Sequence, residues 1–150
     1  MKQRIEYQKA SPEAFRAMLG LEKCVNESGL EKSLLELVKM RVSQINGCAY
    51  CIDMHSKDAR HLGESEQRLY LLNAWRETSH FSERESAALG WAETLTLIST
   101  KEVSDSLFDR VSKQFSDKEL VILTTAINAI NAWNRLAISF RTPAGTYEPS

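Results

Sequence analysis

The sequence predicts an all-α protein, and three observations carry that prediction. Apolar residues recur at helical spacing, no segment sustains period-two alternation, and the breaks between segments carry helix-capping chemistry. With 150 residues, 43% hydrophobic and 26% charged, the chain is long enough to bury a core of its own. We therefore expect one domain over residues 1–150, a bundle of about six to seven helices with its core over roughly 15–140 and a tail over 142–150.

Each element has its own signal. Ser11-Pro12 pairs an N-cap with proline at the first helical position and opens a segment running to about Glu27. Gly29 breaks the chain before a helix over Glu31 to Asn46, in which Leu34, Leu35, Leu37, Val38, Val42 and Ile45 share a face. Asn46-Gly47 ends it, and Asn46 is placed to cap the next helix, Cys48 to Leu62, which Gly63 stops. Ser65 starts a short helix through Leu72. Capping boxes at Ser82-Glu-Arg-Glu85 and Ser116-Asp-Lys-Glu119 open segments to Leu97 and Phe140, with a shorter helix over Ser104 to Gln114 between them. The last helix carries apolar residues on almost every side, so it belongs at the centre of the domain or of an oligomer. Its Asn128, Asn131 and Asn134 read as buried amides that satisfy helix ends or partner chains. Arg41, inside the apolar stripe of its helix, is expected to snorkel or to pair with a carboxylate.

Bulk charge excludes several functions. A formal net charge of −1 without any block of like charges leaves no electrostatic footprint for nucleic acid or an acidic membrane surface. The N-terminus lacks the apolar core of a signal peptide, and no run approaches the roughly 18 apolar residues of a membrane span, so a cytoplasmic protein is expected. In that compartment most thiols stay reduced, which makes a close cysteine pair a catalytic, sensing or metal-binding feature rather than a structural staple.

Such a pair exists. In Cys48-Ala-Tyr-Cys51-Ile-Asp-Met-His55, the helical period gathers Cys48, Cys51 and His55 on one stripe. With Asn46 as cap, Cys48 takes the second helical position, where free backbone N–H groups favour a thiolate. His55, four residues after Cys51, is placed to act as its base. Cys24 reads as core, and His61 and His80 as surface residues. Zinc is the main rival to redox chemistry, but a structural site wants four ligands and there is no second Cys-x-x-Cys.

The stretch from Glu36 through Arg41-Val-Ser-Gln-Ile-Asn-Gly47 to Cys48, Cys51 and His55 closely resembles the core motif of the AhpD-like alkyl hydroperoxidase branch of the carboxymuconolactone decarboxylase family. Glu83 to Thr96 and Ile130-Asn-Ala-Trp-Asn-Arg135 look like its later helices. The resemblance implies an all-helical trimer or hexamer that reduces hydroperoxides in antioxidant defence, with no metal or organic cofactor. By motif position it makes Cys51 the peroxidatic thiol, Cys48 the resolving thiol, and His55 with Glu36 the proton relay, with an external dithiol or protein reductant restoring the pair. Tyr50 stands where well-studied peroxidases of this branch carry histidine; a tyrosine, with an ordinary pKa near 10, is a poor general base, so Tyr50 is at most a supporting residue. Without the resemblance, the helical wheel sets Glu36 opposite the apolar stripe, beside Lys32, Lys39 and Ser43, as a solvated glutamate. Two other readings remain: lactone decarboxylation, used by a branch without the cysteine pair, and a non-enzymatic zinc-binding or redox-sensing scaffold.

Overall fold

A computed structural model describes residues 2–149. Eight α-helices account for most of them: α1 (Tyr7–Ala10), α2 (Pro12–Asn26), α3 (Lys32–Asn46), α4 (Ala49–His61), α5 (Glu66–Leu71), α6 (Glu83–Thr96), α7 (Asp105–Ser112) and α8 (Asp117–Phe140). A 3₁₀ helix over Leu72–Glu77 continues α5, and there is no strand among the described residues. The seven helices expected from sequence are all present. The eighth, α1, is a single turn with no buried residue, too short for any periodicity to announce it.

The expected caps form. Ser11, Ser65 and Ser104 each accept a backbone N–H from the first turn of α2, α5 and α7, and Ser82 and Ser116 close reciprocal capping boxes with Glu85 and Glu119. One expectation fails at the start of α4: Asn46 is the last residue of α3 and does not cap α4. Gly47 follows at φ 69°, a left-handed C-cap, and a Cβ added there would meet nothing within 4 Å, so the conformation rather than crowding calls for glycine. Cys48 then becomes the N-cap of α4, with its sulfur accepting the Cys51 N–H at 3.4 Å.

Helix α3 lies at the middle, packed against α4, α6 and α8, while α8 also touches α2, α4, α6 and α7. Leu35, Val38 and Val42 of α3 meet Leu123, Ile127 and Ile130 of α8 in the larger core. The prediction of a central α8 holds, although Val121 and Ile138 leave an exposed edge. Of its three asparagines, Asn128 is exposed and the other two are buried. The Asn46 amide donates to Asn131 Oδ1 and Asn134 Oδ1, both at 2.9 Å, and Asn134 in turn donates to Ser43 Oγ at 3.1 Å. This ladder ties the end of α3, immediately before the cysteine pair, to the centre of α8.

Arg41 also finds the predicted carboxylate. Its Nε donates to Glu93 Oε1 at 2.8 Å, and the same buried carboxylate accepts the Trp75 indole N–H at 2.9 Å and pairs with Arg76. Burial pushes the Glu93 carboxyl up, but these donors outweigh it and hold it below the usual carboxylate range. Cys24 departs from expectation: it is an exposed free thiol on the outer face of α2 rather than a core residue. His61 and His80 are exposed, as expected.

Candidate active site

Two helices build the site. Helix α4 starts at the cysteine pair and presents Cys51, His55 and Asp58 at the i, i+4, i+7 spacing of one face, while α3 runs alongside and presents Glu36 and Lys39. Cys48 and Cys51 are joined as a disulfide, with Cα atoms 5.4 Å apart, and both residues are only 1% exposed. Both cysteines are therefore buried. The two differ in what they face. Cys51 lies on the wall of a cavity of about 340 Å³, whereas Cys48 packs within the main core and outside that lining.

His55 and Glu36 stand together on the same wall. Glu36 Oε2 meets His55 Nδ1 at 2.7 Å, which leaves Nε2 as the ring nitrogen free for other work. Both side chains are nearly enclosed, at 6% and 12% exposure. Burial pushes the Glu36 carboxyl up, but the hydrogen bond and charge of His55, together with Lys39 at 3.6 Å, outweigh it and hold the group below its ordinary value. Glu36 is therefore a carboxylate at neutral pH. The solvated glutamate of the helical wheel is corrected here, because the polar face of α3 is covered by other helices: His55 of α4 meets Glu36, Glu22 of α2 pairs with Lys39, and Asn134 of α8 bonds Ser43.

The opposite wall comes from α1, α2 and α8. Tyr7, Phe15, Leu19 and Trp133 give an aromatic and aliphatic surface, with the Phe15 and Trp133 rings edge to face at 5.8 Å. Glu22 adds polar character: it pairs with Lys39 and accepts the Trp133 indole N–H at 3.3 Å. Tyr50 and Met54 of α4 complete the lining, which puts Tyr50 at the site, next in sequence to the cysteine it precedes.

Four of the five residues expected at the site thus share one cavity, and Cys48 joins it through its bond to Cys51. Sequence reading missed Asp58, Glu22 and Lys39. The signal for Asp58 was present in its i+3 spacing from His55, whereas Glu22 arrives from a separate helix that no local pattern links to α4. Donor atoms of Glu36, His55 and Asp58 fall within 4.8 Å of one another. Glu36 is engaged by His55 and Asp58 by the Tyr147 hydroxyl at 2.7 Å, so two hydrogen-bonded pairs meet at this point. The bonded cysteines offer no thiolate in this state. Chemically, the wall combines a reversible dithiol, a histidine with one free nitrogen, and a carboxylate that orients it, all beside an apolar chamber.

Comparison with known proteins identifies relatives of the same fold. The chain is 46% identical over 139 residues to the uncharacterized protein YdfG of Bacillus subtilis, covering 93% of this chain and 95% of that protein. It superposes at TM-score 0.93 and 48% identity on a solved Agrobacterium tumefaciens protein of unknown function whose suggested role is AhpD-type antioxidant defence, covering 97% of this chain and all of the other. An alkylhydroperoxidase AhpD-core protein from Ralstonia eutropha JMP134 shares the fold at TM-score 0.82 and 20% identity, over 93% of this chain and 75% of that one. No helix among the described residues is long and apolar enough to cross a membrane. The sequence pattern of the carboxymuconolactone decarboxylase family matches residues 12–94, more than half of the chain and all of α2 to α4. With its helical fold and Cys-x-x-Cys pair, the chain belongs to the carboxymuconolactone decarboxylase family, in its AhpD-like branch.

Proposed function

We propose that the protein is a thiol-dependent hydroperoxidase working through a Cys48/Cys51 dithiol–disulfide cycle. One observation carries the reading: Cys51, His55 and Glu36 converge on a single cavity wall, with Cys48 already bonded to Cys51. In the reduced protein, His55 takes the Cys51 proton while Glu36 holds the resulting imidazolium. The thiolate attacks the outer oxygen of a hydroperoxide and the O–O bond breaks. Cys51 becomes a sulfenic acid, and the proton returns to the leaving alkoxide, giving an alcohol or water.

The Cys48 thiol then attacks the sulfenic sulfur, releasing water and forming the disulfide found here. An external dithiol, free or carried by a protein, reopens the bond in two exchange steps, supplying two electrons and two protons. Tyr50 supports the wall without serving as a base. We further propose that the protein acts in the cytoplasm as a homo-oligomer, a trimer or hexamer, which light scattering at assay concentration tests directly.

The decisive experiment treats fully reduced protein with sub-stoichiometric hydroperoxide and follows thiol titre after denaturation, intact mass and metal content on one sample. The reading expects two thiols lost together and a mass decrease of about 2 Da. If Cys51→Ser consumes hydroperoxide at the wild-type rate, the assignment of the nucleophile is wrong.

A further inference from the structure

We propose that Asp58 and Tyr147 form a second tier of the site: Asp58 is a positioning carboxylate for His55, and Tyr147 holds the Asp58 side chain in place. The proposal rests on the hydroperoxidase reading. Three observations lead to it.

The first is proximity. Asp58 follows His55 by three residues on α4, and its carboxylate comes within 4.8 Å of both the His55 nitrogen and the Glu36 oxygen. An opposite charge at that range favours the imidazolium that forms when His55 accepts a thiol proton.

The second is the path of the C-terminal segment. After α8 it turns back along α4 and is fastened there: the Gly145 N–H donates to Asp53 Oδ2 at 3.0 Å, and Lys57 Nζ donates to the Tyr147 carbonyl at 2.8 Å while pairing with Asp53 at 3.2 Å. These contacts deliver the Tyr147 hydroxyl to Asp58 Oδ1 at 2.7 Å. Burial pushes that phenol up, and the carboxylates of Asp58 and Glu36 push it further, so at neutral pH it remains a hydrogen-bond donor.

The third is that Glu36 and Asp58 together form a partition. On one side lies the cavity of Cys51; on the other lies a second, polar cavity of about 330 Å³ bounded by Lys32, His61, Tyr147 and Pro149. Two carboxylates this close disfavour each other's charge. Lys39 offsets Glu36, and the Tyr147 hydroxyl supplies Asp58 with a hydrogen-bond donor. The charged and titratable groups around this partition are Lys32, Glu36 and Lys39 from α3, His55, Lys57 and His61 from α4, and Tyr147 from the tail; Tyr50 of α4 lines the cysteine cavity on the same side, with Glu22 and Tyr7 across it.

The arrangement predicts a coupled response. In Asp58→Asn, His55 loses one of its two carboxylates, so the acidic limb of kcat/KM moves to lower pH by about one unit and the neutral-pH rate falls roughly three- to ten-fold. Tyr147→Phe removes the hydrogen bond that fixes the Asp58 carboxylate beside His55, so the limb moves the same way by a smaller amount. Because Tyr147 acts through Asp58, the double variant moves no further than Asp58→Asn alone.

The test measures pH–rate profiles for wild type, the two single variants and the double variant, with ¹⁵N NMR titration of the His55 ring on the same proteins. Thermal melts confirm folding, and Tyr147→Phe, a conservative change on the tail, keeps the test alive if Asp58→Asn misfolds. Unmoved profiles and ring titrations in both single variants, or additive shifts in the double variant, overturn the proposal. If wild type does not consume hydroperoxide, or Cys51→Ser still does, the hydroperoxidase reading fails instead, and the ring titration decides the Asp58–Tyr147 coupling without turnover.

Discussion

Replacing Glu36 by glutamine gives the most direct test of the relay. The amide keeps the shape of the side chain and its oxygen can still accept from His55 Nδ1, so the 2.7 Å contact is retained while the negative charge is lost. General acid–base catalysis of this type is worth about 10² to 10⁴ in rate, or roughly 2.7–5.4 kcal/mol of barrier. Because the orienting hydrogen bond survives, we expect the lower end, about a hundred-fold slower oxidation of Cys51. Rapid-quench mixing of reduced protein with hydroperoxide at pH 7, read by intact mass, measures that rate without interference from the reductant. Stability changes in step, with a definite sign. The Glu36 carboxyl is held below its ordinary value in the fold, so its contribution is present above about pH 4.5 and is lost as pH falls through the lower folded value. Glu36→Gln should therefore be less stable than wild type at pH 7, by about 1–3 kcal/mol, with the gap closing on acidification. Oxidation within two-fold of wild type in a folded Glu36→Gln protein would refute the relay.

Two further predictions concern the frame around the site. Asn134→Ala removes a fully buried amide that accepts from the half-buried Asn46 and donates to the buried Ser43, leaving both a hydrogen bond short, so urea unfolding should show a loss of about 2–4 kcal/mol. The Glu119 carboxyl is pulled down to about 2 by the Ser116 backbone N–H, Arg84 and the Ser116 hydroxyl. Its cap on α8 is then fully present above about pH 4.5 and lost as pH falls toward 2, so thermal melts across that window should drop for wild type and stay flatter for Glu119→Gln.

Residues with local causes were legible in advance. Serine caps, the capping boxes and the stripe of Cys51 and His55 all follow from spacing within a few residues, and the place of Arg41 in the apolar stripe of α3 signalled its need for a partner, which Glu93 supplies from 52 residues away. Glu36 was misplaced by the wheel for a physical reason: amphipathicity assumes one buried face, and α3 is covered on several sides, so its polar face became the lining of a chamber. Only a family motif could supply that. Asn46 was misread because an asparagine before glycine serves equally as a helix end or a cap; the pair of amides on α8, about 85 residues away, decides between them. Tyr147 was invisible because a tail without periodicity gives no hint of the helix on which it lies.

The exposure of Cys24 has a practical consequence for laboratory handling. In the folded protein a bulky thiol reagent meets Cys24 first, whatever the state of the shielded pair at the head of α4. A native thiol count would then read the same for the oxidised and reduced forms, and stored samples would cross-link through Cys24 into covalent dimers on non-reducing gels. Counting after denaturation, in a Cys24→Ser background, separates that surface chemistry from the pair that matters.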